Sequence, residues 1–313
     1  GEKGDKGETG EAGRGIAKME QVNGELLVTY TDGTTDNLGN IPGGGTSSDP
    51  SVDADKLTYA LLDDGTYEVT GIKEEFRSTT WNLTIPSTYE GREVASIGAH
   101  AFENWTTLSR LVVPESVTSI GNYAFYQCSG LLSMSALTGI TSLGNGAFTG
   151  CSSLGGVAIT GNLEVIPAGC FGSCTSLSSL SLPPGIREVG AGAFRDSPIV
   201  KLNIPAGTEV IRCEAFASAK TSTGVSSDSI TTPILIPSSV RVIGKGAFGS
   251  TWNAKFETDY VWKKHAVNRF TYEHVKELDR PGIDDMKNNP GSVLSGSATE
   301  TINGELCYIE FYR

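Results

Sequence analysis

The chain has 313 residues, 39 of them glycine, and a net charge of −12. That acidic surplus excludes nucleic acid and anionic membrane surfaces as main partners, because both demand a basic face. No apolar run approaches the ~18 residues that cross a bilayer, so membrane insertion is not expected, and the length fits one elongated repeat domain with attachments or two compact domains.

Gly1, Gly4, Gly7, Gly10 and Gly13 fall at every third residue. A collagen triple helix needs that spacing, since only a hydrogen atom fits at its crowded axis. Proline is absent, so ion pairs between chains, from the acidic and basic residues of the first two triplets, would have to stand in. Five triplets are too few to hold three chains alone. Residues 1–15 are therefore expected to lack order of their own in isolation, as a charged glycine-rich linker would; descent from a longer collagen-like stalk is still favoured, which admits a homotrimer. No signal peptide is present, and a chain that opens inside a pattern reads as a processed or partial product.

Gly15 breaks the triplet register. Residues 25–30 alternate towards an Asp32-Gly33 turn and a second strand at 34–38, which predicts a hairpin. Two strands are marginal alone, so this unit needs trimer mates or the repeats as neighbours. Residues 41–50, IPGGGTSSDP, have linker composition and end a short 16–50 unit. A second hairpin, at 57–62 and 67–72, is expected to close the open end of the domain that follows. Asp63 and Asp64 lie on its turn, where Asp is favoured for backbone reasons, so they are not read as a metal or catalytic pair.

From 83 to 248 one motif is written seven times: an aliphatic residue, usually Gly, two variable residues, then Ala-Phe. The Phe residues are 102, 125, 148, 171, 194, 216 and 248, spaced by 23, 23, 23, 23, 22 and 32 residues. A fixed period of this size predicts a solenoid with one coil per repeat. Counted from Phe, inward aliphatics are expected six, nine and eleven places later: Leu108, Leu111, Val113; Leu131, Met134, Ala136; Leu154, Val157, Ile159; Leu177, Leu180, Leu182. The last two of each set alternate with an outward residue, which is strand spacing. Pro114, Pro183, Pro205 and Pro237 end those strands. Eight places before Phe stand Val94, Val117, Ile140, Leu163, Ile186 and Val240; Thr208 breaks that series and marks the sixth turn as its weakest.

Cys128, Cys151 and Cys174 each lie three places after a repeat Phe, where Trp105 and Ser197 also occur. Three equivalent positions read as a buried ladder of free thiols. With Cys170, Cys213 and Cys307 they offer no zinc-type pair, and no metal or other cofactor is expected.

The run IPSTYEGREVASIGAHAF at 85–102, and the similar turns after it, resemble the BspA-like class of leucine-rich repeats of bacterial surface antigens; LTYALLDDGTYEVTGI at 57–72 resembles the hairpin that often precedes them. The resemblance covers about 57–250. It implies a curved β-dominated leucine-rich-repeat solenoid, secretion or display at a cell surface, binding of proteins or adhesion, and no catalytic residues. The triplets with the following GIxxxxxxxGxLxVTYTDGTT are similar, more loosely, to stalk segments of bacterial surface and phage-tail proteins.

The long last interval places its excess in 217–232, rich in Ser and Thr, and such insertions form loops on one face of a solenoid. Val112, Ser135, Ala158, Ser181, Asn203 and Leu235 are the outward strand positions, with Arg110, Ser133, Ser179 and Lys201 beside them. Arg110, Ser133, Ser135, Ser179, Lys201 and Asn203, with Thr221 and Ser222 of the insertion, are the candidate ligand-binding residues. No acidic or aromatic stripe is expected on that face, so neither a sharply charged ligand nor a sugar platform is indicated there.

The repeat stops after Trp252, giving a 51–252 solenoid and a 253–313 cap or small module. Residues 256–272 and 297–312 read as strands, the latter with an Asn303-Gly304 turn. His265, His274, Glu273 and Glu277 fit no tight metal template, and His100 takes a variable, hence exposed, place. Three scattered His and no HExxH, GxSxG or P-loop argue against an enzyme. Two functions remain: a non-catalytic extracellular module binding a protein or cell-surface ligand on a stalk, or a trimeric surface or phage-tail appendage whose solenoid is a spacer.

Overall fold

The computed structural model describes residues 16–22, 25–30, 35–40, 53–79, 81–199, 203–217, 234–248, 254–256, 263–267, 269, 274–278, 299–302 and 305–312. The Gly-X-Y triplets, the Asp32-Gly33 and Asn303-Gly304 turns, the 41–50 linker, Glu273, Lys201, and Thr221 and Ser222 with nearly all of the insertion lie outside the described residues. The chain forms two units, 1–50 and 51–313. In the first, β1 (Ile16–Val22), β2 (Glu25–Tyr30) and β3 (Thr35–Asn40) make an antiparallel meander. The hairpin pattern marked β2 and β3; β1 adds a strand that its mixed sequence, IAKMEQV, did not announce.

The second unit opens with β4 (Leu57–Leu61) and β5 (Tyr67–Ile72), an antiparallel hairpin. Asp64 holds its turn: Oδ1 accepts from the Thr66 N–H at 2.9 Å and the Thr66 hydroxyl at 2.7 Å. Next come a short helix α1 (Glu74–Arg77), β6 (Asn82–Thr84), β7 (Thr88–Tyr89) and β8 (Arg92–Ile97). The four coils that follow then supply two short strands each. They are β9 (Arg110–Val112), β10 (Ser119–Ile120), β11 (Ser133–Met134), β12 (Ser142–Leu143), β13 (Gly156–Ala158), β14 (Val165–Ile166), β15 (Ser179–Ser181) and β16 (Glu188–Val189). The series ends with β17 (Val210–Ile211), β18 (Ile234–Ile236), β19 (Val242–Gly244) and β20 (Ala254–Phe256).

The strands build two walls. One carries β5, β8, β10 and β12 in parallel pairs and resumes as β14, β16, β17 and β19. The other carries β6, β9 and β11, then β13 with β15, and β18 with β20. Both ladders break at the same level, between β12 and β14 and between β11 and β13, where a single bridge joins Leu137 to Ile159. The expected inward Ala136 is exposed there, and Leu137 is buried in its place. The reason is one extra residue in that strand: Ser135 Oγ takes the Val113 N–H at 2.9 Å and bonds the Val113 carbonyl at 3.3 Å. Met134, Leu180 and Leu182 pack against the core while only partly buried.

The third wall is made of turns. Ala101, Glu103 and Trp105 bond back to Gly98, His100 and Phe102, a run of consecutive three-residue steps repeated in later coils. Alternate N–H groups point to the next coil instead: His100, Phe102 and Asn104 donate to the carbonyls of Asn122, Ala124 and Tyr126. This geometry sets the motif. A Cβ on Gly144 would lie 2.2 Å from the Asn122 nitrogen, so the motif glycine lets neighbouring backbones meet. The residue two places before each Phe adopts a left-handed φ in all seven coils, from 55° to 75°. Glycine serves there four times; His100, Tyr123 and Glu214 accept a strain on the order of 1 kcal/mol.

All seven repeat Phe rings are buried, with successive centroids 5.1–5.7 Å apart. From Phe125 to Phe248 adjacent rings tilt by no more than 6°. The shorter interval before Phe216 is absorbed just after Phe194, where Ile199 fills the buried place five rather than six residues on. Thr208, buried in the aliphatic series, bonds its hydroxyl to the Ile186 carbonyl at 3.3 Å, so the polar group has a partner.

At the far end the strands are β21 (Lys263–Val267), β22 (His274–Glu277), β23 (Thr299–Ile302) and β24 (Glu305–Tyr312). β24 pairs antiparallel with β19 and buries Cys307, Ile309 and Phe311 against the last coil. Arg212, where most coils have the motif glycine, bonds Glu188 at 2.8 Å and the fully buried Glu310 at 2.9 Å. Burial pushes the Glu310 carboxyl up, and Arg212 offsets part of that.

The six cysteines are free and buried. Cys128, Cys151 and Cys174 donate to the carbonyls of Phe102, Phe125 and Phe148 at 3.1–3.3 Å, and Ser197 does the same to Phe171 at 2.7 Å. Burial pushes the Cys128 and Cys174 thiols up to about 12 and Cys151 well above its ordinary value. At pH 8 iodoacetamide is therefore expected to leave these three unmodified in the native protein and to label all three after denaturation. Mass spectrometry showing native labelling would contradict the buried ladder.

Candidate functional site

The wall containing β6, β9 and β11 presents the sequence-predicted face. Leu83, Leu111 and, less completely, Met134 turn inward. Asn82, Arg110 and Ser133 occupy one row by register and are exposed. The fold thus joins Arg110 to Ser133. Ser179, exposed on β15, belongs to the separate ladder with Gly156, and Asn203 is exposed outside any strand. Ser135 is half-buried with its hydroxyl spent on Val113, so it holds the strand rather than offering a group to a ligand.

The adjoining row was not legible as a site in the sequence. The Trp81 carbonyl accepts from the Ser109 N–H, that of Ser109 from Leu132, that of Leu132 from Gly155 and that of Gly155 from Ser178. These five residues are successive rungs. Trp81 is 65% exposed and Leu132 59% exposed, although both are large and apolar. With strands about 4.8 Å apart they stand about 10 Å from each other across Ser109. An isolated exposed Leu says little, but an exposed Trp and Leu two rungs apart form a patch. Arg110 stands next to them and, among the described residues, makes no ion pair. Trp81 is a single ring at the first rung and does not make the aromatic stripe whose absence was expected. The available signal was offset: Trp81-Asn82-Leu83 repeats the spacing of Leu132-Ser133-Met134.

The opposite strand wall differs along its length. Thr118 and Thr141 occupy rungs that later carry Glu164, Arg187, Glu209 and Arg241. Arg187 lies 3.9 Å from Glu164 and 3.6 Å from Glu209, and Arg241 pairs with Glu209. These exposed pairs answer one another and leave little charge for a partner. A cleft of about 330 Å³ opens where β12 and β14 fail to pair, lined by Thr141, Ser142, Asn162, Glu164 and Val165 among others. Among the described residues no cluster of His, Cys, Asp and Glu could hold a metal ion, and no helix is long and apolar enough to cross a membrane.

Comparison with known proteins bears on the repeats. Residues 95–223 match the BspA type leucine rich repeat region in six copies. The solenoid is a leucine-rich repeat. It is similar to a leucine rich repeat protein of T. pallidum, at 28% identity and a TM-score of 0.51, over 54% of this chain and 78% of that one. A leucine-rich repeat protein of Eubacterium ventriosum matches at 23% identity and TM-score 0.46, over 61% of this chain and 49% of that one. A leucine rich cell surface protein of Faecalibacterium prausnitzii matches at 20% identity and TM-score 0.37, over 69% and 76%. No curated protein matches the chain.

Proposed function

We propose that this chain is a non-catalytic protein-binding module, exported and presented at a cell surface, whose leucine-rich repeat solenoid docks a protein partner. The observation that supports this reading is the Trp81–Arg110–Leu132 patch on a rigid strand wall. Interface hot spots favour Trp and Arg because a large apolar area and a directional cation are desolvated together. Repetition suits the role: each rung is fixed by its neighbours, so little ordering cost remains when a partner lands. In a screen against extracellular proteins, alanine at Trp81 or Arg110 is expected to weaken the captured partner by about tenfold or more, as hot-spot truncations do. Unchanged affinity in W81A, R110A and L132A alike would remove the face.

A second reading, a trimeric appendage that spaces out its solenoids, is favoured by the glycine at every third position of 1–15. The two readings are compatible, since a trimer displays three binding walls. The mass of the full chain in solution decides the second: three times 32.9 kDa is expected for a trimer, and a monomer at micromolar concentration would reject it.

A further inference from the structure

The wall of turns carries a second exposed cluster, unrelated to the proposed protein-binding face. The His100 ring stacks on Tyr123 with centroids 5.3 Å apart, and Tyr126 meets Tyr123 edge-on at 5.7 Å. Tyr123 is 40% exposed and His100 is exposed too. Both occupy the left-handed position that Gly146, Gly169, Gly192 and Gly246 fill elsewhere. The fold does not require a ring there, and glycine removes the strain, so two adjacent aromatics at that position call for another explanation.

The groups around the rings narrow the ligand. Asn122 and Asn145 stand beside them on consecutive rungs, each exposed. Asn122 Oδ1 accepts from the Asn145 N–H at 2.8 Å, and Asn145 Oδ1 accepts from Ala168 at 3.1 Å. Their carbonyl oxygens are thus spent and fix the amide planes, while each NH2 group, among the described residues, donates to nothing. The charged groups nearby already have contacts: Glu103 lies 2.6 Å from the His100 ring nitrogen, and Arg195 lies 2.9 Å from Glu214 and 3.6 Å from Asp196. Beyond Tyr123 no side chain rises, because the ring lies against Gly146 and the next rung is Gly169.

What remains for recognition is an aromatic surface and oriented neutral donors, with no cation free to select an anionic ligand. That chemistry suits a ligand with apolar C–H faces and many hydroxyl acceptors. We infer that the His100–Tyr123–Tyr126 shelf, with the Asn122 and Asn145 amides, binds a neutral carbohydrate. The ring takes the sugar's C–H face and the amides take its hydroxyls.

The left-handed position supplies a clean test, because glycine there is the residue the fold uses most often. The full chain and its Tyr123→Gly variant are run on an array of neutral oligosaccharides and in affinity electrophoresis through neutral polysaccharides. The wild type is expected to bind at least one neutral glycan. Tyr123→Gly is expected to lose that binding at least tenfold while keeping its melting temperature within about 4 °C. A second variant, Asn145→Ala, is expected to weaken the same glycan. Failure of the wild type to bind any neutral glycan overturns the assignment, as does wild-type binding by Tyr123→Gly. A large drop in melting temperature for Tyr123→Gly would make the ring a structural prop. A protein captured through these residues instead of a glycan would also overturn it.

Discussion

The structure depends on how closely one coil can approach the next. Three backbone N–H groups in each of the first five turn segments reach the following coil, and the contact leaves no room for a Cβ at the motif glycine. At that spacing the Phe rings fall 5.1–5.7 Å apart, within the range of offset stacking. The thiol ladder follows from the same approach, since a small polarizable group beside each Phe carbonyl of the preceding coil can donate to it without opening the core. Hydrogen bonding, ring stacking and glycine placement are thus one constraint seen in three ways.

A stack made this way has two exposed ends, and each is closed differently. At the first, the β4–β5 hairpin continues one wall. The edge of the other is met by Asp53, buried and paired with Lys56, whose Oδ2 accepts the Thr84 N–H at 2.9 Å. At the far end β24 reverses direction against β19, and Glu310 carries a charge into the interior to meet Arg212. An edge closed by an antiparallel strand no longer offers parallel pairing to a further coil or to another chain.

The repeat was legible because its period and its Phe column recur whatever the intervening residues are. The deviations were harder. Ala136 and Leu137 are adjacent, and only the Ser135 bulge decides which one enters the core. The left-handed turn positions were visible as recurring glycines, yet His100, Tyr123 and Glu214 hid the rule by showing variety where a backbone conformation is constant. The candidate site was legible in part. Arg110 and Ser133 were placed by alternation, but Trp81 precedes the first Phe and so fell outside the aligned columns. Arg212 could not be recognised as a closing residue, because Glu310 lies 98 positions away.

Since support passes from coil to coil, the unit of tolerance should be a whole period and nothing smaller. The most direct measurement is denaturant unfolding of two deletions, one removing residues 149–171, a full 23-residue period, and one removing residues 149–160. The first is expected to unfold cooperatively with a denaturant slope reduced in proportion to the lost surface, because Phe148 then meets Phe194 in register. The second is expected to lose its cooperative transition. Equal tolerance of both deletions, or collapse of the full-period deletion alone, would contradict support from coil to coil.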